Sequence, residues 1–301
     1  MINQKRKILY FRSKKLLPWK LLFPCVLIIL VVFLFPVLYS LAMSFNQVDI
    51  SNQEWTFVGL QNFANLLKDS YFLKSVVITG KFTLFTVFFE MVMGTLMAVF
   101  LNKSFSGRGF VRGIMILPWA LPTVVNALMW KWIFNANYGV LNALLTQIGI
   151  IDSYKAWLAD PHSALYCMLF ANIWKETPYV VLLVLAGLQS IPADMYESAR
   201  VDGCSGVKAF FKITIPMIKH ILLILIITKT IWSIQTYDLV AIMTWGGPAN
   251  ATQLISYYVQ KMTFKFFDFG TGAAMSYVIM LITFILSILY IKTMSKDGEV
   301  I

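Results

Sequence analysis

Six long apolar runs limit what this chain can fold into. They cover about 21–43, 75–101, 113–134, 162–189, 217–244 and 272–292. Several reach the roughly 20 residues that a helix needs to cross hydrocarbon. Charge is scarce around them: 13% of residues are charged and 59% hydrophobic, with a mean hydropathy of +0.73. A soluble domain usually carries about 25% charged residues, enough to coat a water-facing surface. A bilayer accepts apolar side chains outside as well as inside. The expected fold class is an all-α polytopic membrane protein with six transmembrane helices, one that moves a solute rather than transforming it.

The net charge of +11 invites a nucleic-acid reading, but its placement favours a membrane. Lys5, Arg6, Lys7, Arg12, Lys14, Lys15 and Lys20 precede the first run, where a cytoplasmic anchor would meet anionic lipid. A signal peptide would have an apolar core of about 7–15 residues, and Leu21–Met43 is longer, so an uncleaved first helix is expected. Counting Lys219 and Lys292 at the ends of their spans, sixteen of the 25 Lys and Arg residues fall on one side of the six spans, and five fall on the other. The positive-inside rule then puts both termini in the cytoplasm. Residues 1–20 form a basic tail, 44–71 an external loop and 293–301 a second cytoplasmic tail. The weak point is the 245–270 loop, which places Lys261 and Lys265 outside.

Pro118 and Pro122 should interrupt the third span, and Pro178 the fourth. Each proline removes a donor and frees a carbonyl, which lipid cannot satisfy. These helices are expected to face protein or a wet pathway. Trp245-Gly246-Gly247-Pro248-Ala249-Asn250 must break helix. After it, Leu254, Ile255, Tyr258 and Met262 recur at helical spacing and read as a short amphipathic helix at the outer membrane face. Cys25, Cys167 and Cys204, with His162 and His220, form no disulfide framework or metal-ligand pattern.

The inner loop Ser190–Pro216 is the most informative segment. Pro192 suits a first helical turn, and Asp194 and Glu197 suit its positive end. Gly203 can take positive φ and end that helix, and a second is expected over about 205–211 before Pro216 opens the next span. The result is a cytoplasmic helix-turn-helix elbow over 192–216. Its small residues Ser198, Ala199 and Gly203 would admit another protein's surface, with Arg200 and Asp202 available for polar pairing. The competing reading is a surface loop resting on lipid.

The spacing favours the elbow. Glu197-Ser198-Ala199, three residues, Gly203, nine residues, Ile213, one residue and Ile215-Pro216 resembles the EAA loop of importer-type ABC permeases. That pattern reads Glu-Ala-Ala, three residues, Gly, nine residues, Ile, one residue, Leu-Pro. The departures, Ser198 for Ala and Ile215 for Leu, are mild. Leu117-Pro118-Trp119-Ala120-Leu121-Pro122, Trp130–Asn135, Tyr138–Asn142, Leu188–Pro192 and Gly246–Thr252 are similar to segments of sugar-importer permeases. The resemblance covers roughly 58–292 and points to the subfamily of maltose and glycerol-phosphate permeases, on the side of the maltose importer's larger permease subunit. It implies a permease domain over 72–292.

The resemblance also implies partners. These are a second homologous permease, two ATPase subunits holding ATP and Mg, and an external sugar-binding protein, in a bacterial cytoplasmic membrane. The chain has no Gly-x-x-x-x-Gly-Lys-[Ser/Thr] phosphate cradle, since Gly80-Lys81 lacks its context. It is expected to bind no cofactor and to be no enzyme itself. Glu197, Ser198, Ala199, Arg200, Asp202, Gly203, Ile213 and Pro216 would couple to the ATPase.

Ionisable residues inside spans are costly and default to functional candidates. Glu90, Lys131, Lys175, Glu176, Lys229 and Asp238 qualify. Pairing that holds helices together is the favoured reading for Glu90 and Lys229. Lys131 and Asp238 are placed near the outer interface. Lys175 and Glu176, with Gln235, Tyr237, Asp238 and Asn126, are the candidates for a substrate path. The solute is read as a di- or oligosaccharide, with glycerol phosphate or another small polar solute as the alternative. All five arginines lie on the cytoplasmic side, which favours a neutral sugar. An ion-coupled secondary transporter would use the intramembrane charges as relays, but it has no use for an elbow.

Overall fold

The structure is a computed structural model that describes residues 18, 20–49, 52 and 54–295. Most of the basic tail, including Lys5 to Lys15, and Lys296 of the second tail lie outside the described residues. Contacts divide the chain into two units, Met1–Lys68 with Met262–Val278, and Asp69–Lys261 with Ile279–Ile301.

In the first unit, α1 (Lys20–Ser44) is apolar on every face and none of its most apolar stretch is buried. The segment 44–71, expected to be an external loop, contains regular structure. β1 (Asn46–Asp49) pairs antiparallel with β2 (Glu54–Phe57), setting Val48 opposite Trp55. The all-helical expectation therefore needs this small hairpin added. A short helix, α2 (Gln61–Leu66), follows, and buried Asn62 donates from Nδ2 to the Ser44 and Asn46 carbonyls, 3.0 Å each.

The second unit is built around α7 (Ala164–Gln189), with 56% of its most apolar stretch buried. Around it pack α3 (Ser70–Asn102), α4 (Arg108–Ala120), α5 (Thr123–Ile133), α10 (Lys219–Ile234) and α11 (Asp238–Met243). Between α5 and α7 lies α6 (Val140–Gln147). Asn142 ties this segment down with all four of its hydrogen-bonding sites: Nδ2 donates to the Asn135 and Lys155 carbonyls, and Oδ1 accepts from Lys155 N–H and Trp157 Nε1. The last helix, α13 (Phe269–Ser295), contributes to both units. Among the described residues, five helices are long and apolar enough to span a membrane, with α10 and α11 counted as one, and α4 with α5 makes a sixth as one bent pair.

The prolines behave differently from one another. The third span breaks by 94° where Leu121, extended, precedes Pro122. The residue before a proline is pushed out of the helical region, which ends α4 there. Pro118 stays within α4. Contrary to expectation, α7 runs unbroken through Pro178, which is buried among its neighbours. A missing N–H costs one bond, and close packing on both sides holds the helix through it.

The stretch after the Gly-Gly-Pro turn also departs from expectation. α12 (Ile255–Gln260) does not lie on lipid: Leu254, Ile255 and Tyr258 are buried in the protein. Ile255 N–H donates to Thr79 Oγ1 at 2.8 Å, and Tyr258 donates to Asp69 Oδ2 at 2.6 Å. Asp69 is also the N-cap of α3, accepting from Tyr71 N–H at 2.9 Å. One carboxylate thus starts α3 and anchors α12, 189 residues away.

Helices α3 and α7 come close because Gly94 has no side chain. A Cβ there would meet Val180 Cγ1 at 2.6 Å and Cβ at 2.7 Å, whereas one at Gly80 would meet nothing. Gly94→Ala should lower the thermal unfolding midpoint of the detergent-purified protein, reflecting about 1–3 kcal/mol of overpacking. Gly80→Ala should leave it unchanged or raise it, since alanine favours helix by about 1 kcal/mol.

Candidate functional site

Two apolar layers enclose a charged one. The first layer joins Ile78 and Phe82 of α3, Met168 and Ala171 of α7, and Leu239 and Val240 of α11. The second joins Ala98 and Leu101 of α3, Val180 and Val184 of α7, and Leu225 of α10. Between them in sequence lie Glu90 on α3, residues 172–176 on α7 and Lys229 on α10.

These residues meet. Lys229 Nζ lies 3.1 Å from Glu90 Oε2 and 2.7 Å from Glu176 Oε2, with Glu90 1% and Lys229 2% exposed. Lys175 Nζ pairs with Glu176 Oε1 at 2.7 Å, and Asn172 Nδ2 donates to Glu90 Oε1 at 3.1 Å. Lys229 also sits 5.1 Å from the Trp232 ring centroid and 5.7 Å from that of Tyr179. Apolar layers flank the cluster and leave Glu90 and Lys229 almost fully buried, so an unpaired ion there would be expensive. Two lysines, two glutamates and an amide satisfy one another instead.

A cavity of about 240 Å³ opens beside this cluster. Glu90, Asn172, Glu176 and Lys229 form its charged wall, Trp232 an aromatic one, and Gln235, Tyr237 and Asp238 line it from the break between α10 and α11. Thr123, the first residue of α5, lines it where the third span bends. Tyr237 stacks on Tyr257 at 6.1 Å, and burial raises the Tyr257 hydroxyl above the usual phenol range.

Four of the six expected path residues, Glu176, Gln235, Tyr237 and Asp238, share this cavity. The other two do not line it. Lys175 is buried behind Glu176, and Asn126 is fully buried with Nδ2 on the Ala171 carbonyl at 3.4 Å and Oδ1 unpartnered. Asn126 belongs to the packing of α5 on α7. Lys131, expected at the outer interface, is half-buried and donates to the Ile242 carbonyl at 2.9 Å, near the negative end of α11. Asn172, Trp232 and Thr123 were missed as wall residues. Helical spacing from Glu176 and from Lys229 could have found the first two.

The elbow forms with the expected turn. α8 (Ala193–Val201) follows Pro192 and ends at Gly203, whose φ is +71°. Cys204 N–H bonds the Ala199 carbonyl at 2.7 Å and Gly203 N–H that of Arg200 at 3.1 Å, the paired bonds of a Schellman end. The second arm, α9, starts at Gly206–Ala209 and widens into π-type turns over Phe210–Thr214 and a last turn at Ile215–Met217. Tyr196 and Thr214 hydroxyls meet at 3.0 Å and join the arms. Glu197, Ser198, Arg200, Asp202, Gly203 and Pro216 are exposed, and Ile213 is half-buried. Ala199 is turned inward, so its small side chain serves packing within the chain. Exposed Val201, Val207 and Phe211 give the elbow an apolar surface.

Residues 90–295 match the family described as the inner membrane component of binding-protein-dependent transport systems. The chain belongs to this family. It is 34% identical over 295 residues to the trehalose/maltose transport system permease protein MalF of Thermococcus litoralis, covering 97% of this chain and 98% of that one. It is 32% identical to the sulfoquinovosyl glycerol transport system permease protein SmoG of Agrobacterium fabrum, covering 94% and 92%. A crystal structure of a bacterial ABC transporter involved in importing the acidic polysaccharide alginate contains a chain with the same fold. Its TM-score is 0.83 at 22% identity, over 98% of this chain and 100% of that one. The chain is thus a multi-pass membrane permease of the ABC importer type, and the family resemblance carried by the elbow is correct.

Removing one member of the buried cluster strands the others. Lys229→Met should destabilise the permease by about 3–5 kcal/mol, and adding Glu90→Gln should restore most of the loss. Thermal unfolding of the purified single and double variants checks this.

Proposed function

We propose that the chain forms one half of the pathway of an ATP-driven importer for a di- or oligosaccharide in a bacterial cytoplasmic membrane, facing a second, homologous permease. The cavity carries this reading. Sugars bind through an aromatic face and a few convergent polar groups, and Trp232, Gln235, Tyr237 and Asp238 offer both. The trehalose/maltose name of a relative that matches nearly end to end supports the same class. An external binding protein would deliver the sugar. Both termini and the elbow face the cytoplasm in this reading.

Two ATPase subunits, which hold the ATP and Mg, supply the energy. The elbow is the dock for one of them. Its exposed Val201, Val207 and Phe211 need a partner, while Arg200 and Asp202 set polar contacts. ATP binding then biases a two-state equilibrium between inward-open and outward-open helix arrangements.

Gly203 provides the test of the dock. A Cβ there meets nothing within the chain, and asparagine tolerates its left-handed backbone. Gly203→Asn should leave the amount of permease in the membrane unchanged and lower uptake by membranes holding the full complex about tenfold or more, the effect of roughly 1.4 kcal/mol or more. Normal uptake would remove the case for the dock. Orientation is tested separately: a membrane-impermeant thiol reagent should label half-buried Cys204 in inside-out vesicles and not in right-side-out ones.

A further inference from the structure

The charges around the cavity say more than that a sugar fits. Lys229 is the cation on its wall, and it is fully committed: two carboxylates hold its Nζ within 3.1 Å and two aromatic rings cover it. Lys175, the next nearest, is held by Glu176 and lies outside the lining. A phosphate, sulfonate or carboxylate on a solute would have to displace a protein carboxylate to reach either ammonium. The lining charge left over is Asp238, which is exposed and makes no ion pair among the described residues. It faces an entering anion with a like charge and an entering hydroxyl with an acceptor. The N-terminus of α5 at Thr123 works the other way, but a helix end is worth only about half a unit charge and fades within a turn.

We propose that the cavity selects uncharged sugars over anionic ones, with Asp238 as the discriminating residue and with Glu90 and Glu176 preventing Lys229 from acting as an anion receptor. This rests on reading the cavity as the solute path and narrows the class of solute that path accepts.

The potential in the cavity can be read without knowing the sugar. In a full-length chain with the native cysteines replaced, Gln235→Cys is reacted in membranes holding the full complex. Cationic, anionic and uncharged methanethiosulfonate reagents are used, and each rate is divided by that for a free thiol in solution. The cationic reagent should react about tenfold faster than the anionic one, and adding Asp238→Asn should reduce that ratio to about threefold or less. Equal corrected rates, a faster anionic reagent, or a ratio that Asp238→Asn does not change would overturn the charge selection and leave the solute path standing. No reaction with any reagent, the small uncharged one included, would show that the cavity is closed to water, and the solute-path reading would fail together with the proposal.

Discussion

Lys229 reaches two carboxylates on two other helices, Glu90 on α3 and Glu176 on α7, at a level flanked on both sides by apolar layers. In such surroundings the alternative to pairing is a stranded ion, so the three helices are held in one mutual rotation and height. Apolar packing alone would not impose this. Leucine and valine layers tolerate sliding and repacking at modest cost, and lipid offers them no less favourable a surface. The ionic layer therefore specifies an arrangement that the apolar layers fill in. It also leaves a polar wall facing a cavity, because the same charges that cannot face lipid can face a water-filled space.

The elbow depends on a different constraint, the handedness of one backbone residue. Gly203 in the left-handed region lets the chain turn out of α8 while the last carbonyls are still satisfied by Gly203 and Cys204 N–H groups. A side chain at that position is disfavoured by backbone sterics. It would also project into open space, where the proposed docking partner would meet it. The fold's requirement and that of the proposed dock coincide at one atom that is absent.

Much of this was legible in the sequence, for reasons that differ by feature. The spans were found because a run of 20 or more apolar residues has few other uses, and the elbow because its prolines and glycine act through local sterics and its acidic first turn through the helix dipole. Periodicity around Leu254, Ile255 and Tyr258 identified an apolar face correctly, but a face does not declare its medium. Protein and lipid are equally apolar, and it takes tertiary contacts such as the bond from Ile255 N–H to Thr79 Oγ1 to reveal which it meets. Pro178 failed for a related reason: a proline's local penalty is fixed, while the packing that absorbs it is tertiary. The rule that buried ions pair named Glu90 and Lys229 together. It could not show that Glu176 completes a shared site, because that depends on how three helices are rotated. Asn126 does not line the cavity, and the sequence could not show this, because an amide in a span serves packing and pathway equally well until its partner, the Ala171 carbonyl, is known.

The two sites are connected by covalent geometry. α7 runs from Glu176 to Gln189, and α10 from Lys219 to Lys229, with the elbow joining Gln189 to Lys219. At 1.5 Å per residue these arms are about 20 and 15 Å long. Regular helices of that length transmit displacement with little compression, and each carries one member of the Glu176–Lys229 pair near its far end. A movement of the elbow as a body carries both arms together and preserves the pair. The strain then falls on the third member, Glu90, whose helix α3 is not attached to the elbow. A tilt of the elbow that separates its arms strains the pair itself. The ionic layer thus distinguishes the two kinds of motion energetically. The Tyr196–Thr214 contact braces the elbow against such a tilt, while the close approach of α3 to α7 at Gly94 and Val180 resists sliding of α7 past Glu90.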